Sequence, residues 1–340
     1  MSARVVVTGG AGFLGSLLVR RLLAAPVALG GDPAAPVGDV LVPDLAAPPA
    51  DLAADPRVRP FVGELQDALG EMEACGEVDA VFHLAGAVSG AAEADFDLGM
   101  RANLDGTRAV LEYARRQAAA PLLVFTSSLA VFGADPALGS ADTGTGGGVV
   151  DEATLPRPQS SYGIQKFIGE QLVADYTRRG FVRGRSLRLM TVTVRPGRPN
   201  AAASGFLSGI VREPLAGRRA TCPVPPDTPV ALSSPRRTLD GILRAAETDD
   251  AAWGSRTAMN LPALTTTPRD MVAALERIAG AATAGLVDWA HDPAVAAIVR
   301  SWPARFHTPR AVALGLAPEE SFDAIVRAYV ESRSTERAAP

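Results

Sequence analysis

The stretch "ARVVVTGGAGFLGSLLVRRLLAA", residues 3–25, contains three successive patterns that decide the fold. The run VVV at residues 5–7 is typical of a buried parallel strand. Gly9, Gly12 and Gly15 follow at intervals of three residues, and apolar residues then recur at helical spacing. A strand, a glycine turn and a helix in this order predict a pyrophosphate site at a helix N-terminus, because a Cβ in the turn would block the chain or the phosphates. The alternative is a tight turn that binds no ligand.

The next acidic residue after a buried run is Asp44, which follows the segment VLV at residues 40–42. Asp44 lies 29 residues beyond Gly15, further than the usual ~20, and a Gly- and Pro-rich loop accounts for the surplus. A carboxylate at this place accepts hydrogen bonds from both hydroxyls of the adenosine ribose and repels a 2′-phosphate. Since no arginine follows closely, we predict NAD rather than NADP. A plain turn aspartate remains the alternative.

Strand and helix patterns continue to alternate along the chain. We expect a third strand to end at 64–65, a fourth to end at 84–86 and a fifth to end at Ser127 and Ser128. A long amphipathic helix between the last two, over 96–117, carries Asn103. Alternation of this kind predicts an α/β fold, a doubly wound parallel sheet that binds its ligand at the carboxyl ends of the strands. We expect His83, within the fourth strand, to be a packed strand residue.

The segment "YGIQK" contains Tyr162 and Lys166, the only lysine in a chain with 33 lysines and arginines together. A coding bias toward arginine would leave such a survivor by chance. The alternative is that position 166 requires a compact ammonium, which a planar guanidinium does not replace. Residues i and i+4 share a face of a helix, and an adjacent ammonium stabilises a phenolate, which lowers a tyrosine pKa from its usual ~10. The pair is therefore a candidate general base and its activator.

The motifs "TGGAGFLG", "HLAG", "NLDGT", "SSLAVFG" and "YGIQK" occur in an order that resembles the extended short-chain dehydrogenase/reductase superfamily, which includes NAD-dependent epimerases and dehydratases. The resemblance covers about the first 200 residues and implies a Rossmann fold, NAD as cofactor and a smaller C-terminal substrate-binding lobe. It departs from the family at Glu64, where aspartate is usual. The residues implied to bind the cofactor are Gly9, Gly12, Phe13, Leu14, Gly15, Asp44, Leu65, Leu84, Ala85, Gly86, Asn103, Ser127, Tyr162 and Lys166.

The same resemblance implies that Tyr162, Lys166 and Ser128 are catalytic. In this reading Ser128 holds the substrate oxygen, and Tyr162 takes the hydroxyl proton while hydride passes to the nicotinamide. The positively charged nicotinamide and Lys166 both favour the phenolate.

Further segments, among them "VSGAAEADFDLGMRANLDGTR", "CPVPPDTPVALSSPR" and "WPARF", are similar to NAD-linked dehydrogenases of sugar-acid catabolism. This narrower likeness implies oxidation of the C2 hydroxyl of D-erythronate to the 2-keto acid. Met190 stands where proline is expected among these enzymes. Relatives pair their helices at about 92–117 and 160–180 in a four-helix bundle, so a homodimer is also implied.

The substrate side rests on weaker signals. Arginine binds carboxylates bidentately, and Arg236 is the first choice among Arg195, Arg212 and Arg236, although each of them alone is more often a surface residue. Ser89 is a candidate for the substrate carboxylate or hydroxyls, with a loop-capping serine as the alternative, and Asn200 is a similar candidate. We predict an NAD-binding domain over 1–195, with its sheet completed by about 231–262, and a substrate-binding lobe formed by 196–230 and 264–335.

Composition excludes several other classes of protein. The net charge is −4 with no basic run, so we expect no nucleic-acid partner. Cys75 and Cys222 have no metal-site spacing and are expected as free thiols in a reducing cytoplasm; no metal site is expected. We find neither a signal peptide pattern nor an apolar run long enough to cross a membrane.

Two alternative functions remain open at this point. The first is a nucleotide-sugar epimerase or dehydratase, which shares the sheet, Tyr162 and Lys166 but needs a larger cleft. The second is a redox sensor that holds NAD(H) without turnover.

Overall fold

The computed structural model of the chain describes residues 2–133, 148–197 and 202–338, with side chains to residue 333. The chain forms two compact units. The first unit consists of Met1–Ser128, Ser161–Arg188 and Leu239–Met259; the second consists of Leu129–Ser160, Leu189–Thr238 and Asn260–Pro340.

The strands of the described residues, in chain order, are β1 (Ala3–Thr8), β2 (Val37–Asp44), β3 (Val58–Val62), β4 (Ala80–His83), β5 (Leu122–Ser128), β6 (Arg183–Leu189), β7 (Thr191–Val192), β8 (Ala220–Cys222), β9 (Val230–Ser233), β10 (Met259–Asn260), β11 (Leu264–Thr266) and β12 (Val287–Trp289). The α-helices of the same residues are α1 (Phe13–Ala24), α2 (Ala50–Ala53), α3 (Leu65–Met72), α4 (Ser89–Ala94), α5 (Phe96–Gly99), α6 (Gly106–Arg115), α7 (Ser161–Arg178), α8 (Gly205–Leu215), α9 (Pro235–Glu247), α10 (Asp250–Trp253), α11 (Pro268–Ala279), α12 (Ala281–Ala284), α13 (Pro293–Arg300), α14 (Pro309–Ala313) and α15 (Phe322–Ala338).

The first unit is built on a seven-stranded sheet in the order β10-β6-β5-β4-β1-β2-β3. The pairings β3–β2, β2–β1, β1–β4 and β4–β5 are parallel. The carboxyl ends of these strands therefore share one edge, where Thr8, Asp44, His83 and Ser128 lie. The α/β fold class with a parallel sheet is confirmed.

Strand β1 is an interior strand of this sheet, between β4 and β2, and the side chains of its three valines are fully buried. Helices α3, α6 and α7 join β1, β2, β4 and β5 in one hydrophobic cluster, which includes Val6, Leu41, Val110, Phe125 and Val173. Burial on this scale holds α7 against the end of β5, so the sequence pattern that makes the core also places the candidate catalytic helix.

Three predicted boundaries differ from the structure. The third strand ends at Val62, and Glu64 and Leu65 instead begin α3. The fourth ends at His83, because the backbone N–H groups of Leu84 and Ala85 turn to the Thr8 hydroxyl at 3.2 and 3.1 Å. The helix predicted over 96–117 is interrupted between α5 and α6 by a π-helical segment, Met100–Asp105.

The second unit contains a three-stranded sheet, β11-β9-β7, and a two-stranded sheet, β12-β8. Its hydrophobic core draws on α8, α11, α13 and α15. Of the segment 231–262, which we expected to complete the large sheet, only β10 does so; β9 pairs with β7 and β11 instead. The segment 129–160, predicted in the NAD-binding domain, also belongs to the second unit. Within the described ranges, no helix is long and apolar enough to cross a membrane.

Candidate active site at the carboxyl edge of the sheet

The glycine turn between β1 and α1 is closely packed. Gly9 has a φ of 71°, and a Cβ there would lie 2.9 Å from the backbone nitrogen of Ala85. The N–H of Gly12 donates to the carbonyl of Gly9 at 3.1 Å. A Cβ on Gly15 would lie 2.7 Å from the Cα of Gly10. Glycine is therefore required where the first turn of α1 approaches the loop, as predicted for a phosphate site.

The first turn of α1 begins with Phe13 and Leu14, both half-buried, and contains no acidic side chain. An anion at this helix N-terminus would therefore meet backbone N–H groups without carboxylate repulsion from the helix itself.

Asp44 ends β2, and the glycine turn contacts its carboxylate directly. Oδ2 accepts a hydrogen bond from the N–H of Ala11 at 2.9 Å, and Oδ1 accepts one from the N–H of Ala46 at 3.1 Å. A carboxylate has about four lone-pair sites, so it retains acceptor capacity for a ribose. Leu65 opens α3, where its half-buried side chain packs on the core of the first unit; its contact with adenine stays a prediction.

His83 holds the end of β4 in place through both ring nitrogens. Nδ1 lies 2.7 Å from the Thr8 hydroxyl, and Nε2 lies 3.0 Å from the Thr107 hydroxyl. Burial, with a smaller contribution from the positive charge of Lys166, lowers the pKa of His83 to about 3. The imidazole is therefore neutral at ordinary pH and acts as a structural bridge, as expected for a packed strand residue.

Asn103 lies in the π-helical segment and is buried. Its Nδ2 donates to the carbonyl of Ala87 at 3.2 Å and to Oε1 of Gln165 at 2.8 Å. Because both of these partners are acceptors, they fix which end of the amide is the nitrogen, and Oδ1 is turned toward Gly86. A Cβ on Gly86 would lie 2.6 Å from this Oδ1 and 3.5 Å from Nζ of Lys166. Oδ1 has no hydrogen-bond partner among the described residues.

Tyr162 and Lys166 lie in the first two turns of α7. Nζ of Lys166 is 5.9 Å from the ring centroid of Tyr162 and 4.9 Å from that of Phe125. The lysine is 4% exposed, and burial lowers its pKa to about 8. No carboxylate of the described residues forms an ion pair with it. Its charge, present at neutral pH, is therefore directed at aromatic rings rather than at an acid.

The end of β5 joins α7 through Ser127. Its hydroxyl donates to Oε1 of Glu170 at 2.5 Å. Glu170 also forms a buried, two-bond ion pair with Arg188 of β6, with distances of 2.9 and 2.7 Å. Ser128, the last residue of β5, is half-buried.

Gln165, Glu170 and Arg188 were missed by the sequence reasoning. The position of Glu170 could have indicated its role: it follows Lys166 by four residues and so shares the helix face that packs on the sheet. A charged residue on a core-facing stripe requires a partner.

The predicted substrate residues fall in different parts of the chain. Ser89 is the first residue of α4 in the first unit. Arg236 lies in the second unit, 61% exposed at its side chain and 3.6 Å from the carboxylate of Glu319. Arg212 is buried and pairs with Glu213 at 2.7 Å. Asn200 lies outside the described residues.

Comparison with known proteins places this geometry in a family. Residues 5–229 match the NAD dependent epimerase/dehydratase family. The chain belongs to that family. The matched range of residues includes the glycine turn, Asp44, Ser128, Tyr162 and Lys166. The family resemblance inferred from the sequence motifs is therefore confirmed.

Several known proteins resemble this chain over nearly its whole length. A D-erythronate dehydrogenase from Cupriavidus necator is 48% identical over 96% of this chain and 98% of its own length. A second D-erythronate dehydrogenase, from Haemophilus influenzae, is 37% identical over 96% of this chain and 99% of its own length. The crystal structure of a nucleoside-diphosphate-sugar epimerase from Agrobacterium tumefaciens superposes with a TM-score of 0.84 at 35% identity, covering 97% of this chain and 94% of that one.

Membership in this family confirms that the chain is an NAD-dependent oxidoreductase. The residues present fit the cofactor on two observations. The glycine turn would be filled by a Cβ at Gly9 or Gly15, and Asn103 leaves a buried, unsatisfied oxygen beside Gly86 and Lys166. Among the described residues no cluster of histidine, cysteine, aspartate and glutamate is placed to hold a metal ion.

Proposed function

We propose that this protein oxidises the C2 hydroxyl of a sugar acid, D-erythronate, to 2-dehydro-D-erythronate, with Tyr162, Lys166 and Ser128 as catalytic residues. The observation that carries the proposal is the buried ammonium of Lys166, without a carboxylate partner in the described residues, beside the ring of Tyr162. The substrate comes from the two relatives named D-erythronate dehydrogenase, each of which covers 96% of the chain.

The cofactor would be held by the glycine turn, Asp44, residues 84–86, Asn103 and Lys166. NAD, when bound, supplies the hydride acceptor. The protein holds the substrate hydroxyl and removes its proton.

Tyr162, as phenolate, takes the hydroxyl proton and becomes a phenol while the C2 carbon loses hydride and becomes a ketone. Lys166 stabilises the phenolate at neutral pH, because an ammonium in a low-dielectric site favours a nearby negative charge. Ser128 donates a hydrogen bond to the substrate oxygen and so keeps it within reach of the phenol oxygen.

Purified protein with NAD and D-erythronate should develop the absorbance of reduced cofactor. Tyr162→Phe should lower kcat by about 10²-fold or more, the usual range for loss of a general base, and should leave NAD affinity within a few-fold, because the ring remains. Turnover by the variant at the wild-type rate would remove Tyr162 as the base.

A nucleotide-sugar epimerase is the second candidate, favoured by the 35% identity with the Agrobacterium tumefaciens structure. The same preparation should be assayed with UDP-sugars and with four- to six-carbon aldonates. No reduction of NAD by any aldonate, together with conversion of a UDP-sugar, would replace the dehydrogenase proposal with this one. Binding of NAD without turnover of either class would indicate a redox sensor.

We also propose a homodimer formed through the helices near α5 and α7. Phe96, Ile164 and Ile168 are 60%, 46% and 37% exposed, and the two isoleucines lie one helical turn apart on α7. Exposed apolar residues grouped on one helix are typical of an interface. The substrate-binding role of the C-terminal lobe and the clamping role of Arg236 are likewise proposals, and a cytoplasmic location stays a prediction.

A further inference from the structure

Three polar side chains follow one another along α7 at intervals of four residues: Tyr162, Lys166 and Glu170. At this spacing they share one face of the helix. Lys166 and Glu170 are 4% and 3% exposed, so an acid and a base are buried one helical turn apart. They do not pair with each other, since Glu170 pairs with Arg188.

The carboxylate of Glu170 has three hydrogen bonds that all come from the sheet. Arg188 of β6 donates from Nε to Oε1 at 2.9 Å and from Nη2 to Oε2 at 2.7 Å. Ser127 of β5 donates its hydroxyl to Oε1 at 2.5 Å. The network therefore joins the helix that carries Tyr162 and Lys166 to the strand that ends in Ser128.

A contribution to the free energy of folding does not by itself explain why this buried ion pair is present. Removing two charges from water costs about as much as their attraction returns, and well-packed apolar residues of similar size are often as stable. What the ion pair does provide is direction, because a two-bond contact between a guanidinium and a carboxylate fixes the relative orientation of both groups.

The pair also controls charge near Lys166. An unpaired carboxylate one helical turn away would attract the ammonium and draw it from Tyr162. Burial, rather than a neighbouring charge, is the cause that lowers the pKa of Lys166.

We propose that Glu170 and Arg188 are positioning residues of the active site. They hold the Tyr162–Lys166 face of α7 on the end of β5, and Arg188 cancels the charge of Glu170 so that this carboxylate does not oppose the effect of Lys166 on the proton affinity of the phenol. This inference rests on the proposed role of Tyr162 as the base.

Several neighbouring elements place titratable or charged groups near α7. Those of α5 and of the π-helical segment are exposed, and β5 has none. His83 is neutral, Glu93 binds the N–H of Ser161 at the start of α7, and Glu112 binds the hydroxyl of Tyr176 near its far end. The titratable or charged groups that face α7 from neighbouring elements are His83 of β4, Glu93 of α4, Arg108, Glu112 and Arg115 of α6, and Arg188 of β6.

The test compares the pH dependence of kcat for sugar-acid oxidation in Glu170→Gln and in the double variant Glu170→Gln/Arg188→Met. Glutamine removes the carboxylate charge that faces the guanidinium of Arg188, and arginine cannot lose its proton. A positive charge about 12 Å from Tyr162, two helical turns away, should move the midpoint of the profile to lower pH by up to about one unit. The double variant removes that charge and should return the midpoint to the wild-type value.

Arg185→Met is the matched control. Arg185 is also buried on β6 and pairs with Asp250 at 2.6 Å, so its loss should lower the melting temperature without moving the pH midpoint. An unchanged midpoint in folded Glu170→Gln, a double variant that stays shifted, or an equal shift in Arg185→Met would each overturn the inference.

A second readout separates this inference from the proposed function. Ultraviolet titration of the tyrosines without NAD or substrate, with the trace of Tyr162→Phe subtracted, follows the Tyr162 phenol directly. Glu170→Gln should shift that titration to lower pH even in a protein that proves inactive on sugar acids. An unshifted phenol titration in a protein that does oxidise D-erythronate would overturn the inference and leave the proposed function standing.

Discussion

The surroundings of Lys166 favour a compact ammonium over a guanidinium. Its Nζ lies 4.9 Å from the ring centroid of Phe125 and 5.9 Å from that of Tyr162, and a Cβ on Gly86 would lie 3.5 Å from it. A guanidinium is planar and broader, and it needs several acceptors in its plane. The described neighbours of Nζ provide aromatic faces, a glycine and the amide oxygen of Asn103, which suit a compact ammonium better than a planar fork of donors, so the exception to the arginine-rich composition has a physical reason at this position.

Lys166→Arg should therefore lower kcat by about 10²-fold or more although it keeps the positive charge. The measurement is NAD reduction with D-erythronate under saturating conditions. Arg178→Lys, at the exposed end of the same helix where Arg178 pairs with Asp175, is the control and should retain wild-type activity. Full activity of Lys166→Arg would mean that the only lysine survives by chance.

The elements around the site differ in how far the sequence determines them. The glycine turn and β1 follow from local chemistry, because Gly9 and Gly15 tolerate no Cβ. The π-helical segment does not follow from local pattern; its buried residue Asn103 is held by long-range hydrogen bonds to Ala87 and Gln165. The end of β4 was likewise set by a long-range bond, from residues 84 and 85 to the Thr8 hydroxyl.

The His83 bridge predicts how stability changes with pH. The folded pKa is about 3, below the unfolded value of about 6.5, so between these values the unfolded chain binds the extra proton. The free energy of unfolding should therefore fall as pH drops below 6.5, by up to about 2 kcal/mol at pH 5.

Denaturant unfolding at pH 7 and pH 5 measures this effect. His83→Gln should flatten the pH dependence, whereas His291→Gln, at an exposed position, should leave it as in the wild type. A wild-type free energy of unfolding that is equal at the two pH values would contradict a buried, neutral imidazole.

For the whole molecule, sequence motifs predicted the α/β class and the family but not the division into units. The segment 129–160 belongs to the second unit, and β9 pairs outside the large sheet. A run of β-branched residues predicts that a segment is a strand, but it does not predict which strands lie beside it in the sheet. Leu232 of β9, for example, pairs with Thr191 and Leu264, which are far from it in sequence. Arg236 illustrates the same limit, because no local pattern pointed to Glu319 as its neighbour.

The whole molecule is expected to form a homodimer, and one substitution on α7 tests this. Ile168→Glu should dissociate a dimer formed through α7, because it places a charge at the centre of an apolar interface. Light scattering after size-exclusion chromatography measures the mass. Val312→Glu, at a valine in the second unit that is 60% exposed, is the control and should remain dimeric. A wild-type protein that elutes as a monomer would remove the proposed interface.

The claim on which the chemistry depends is that one ammonium makes the Tyr162 phenol acidic enough to serve as a base. Ultraviolet titration of the NAD complex, wild type against Lys166→Met, tests it most directly. We predict one phenol that titrates well below the ordinary ~10 of a tyrosine, is absent from Tyr162→Phe and returns toward ~10 in Lys166→Met. Four tyrosines that all titrate at or above the ordinary value in the wild-type complex would contradict the account.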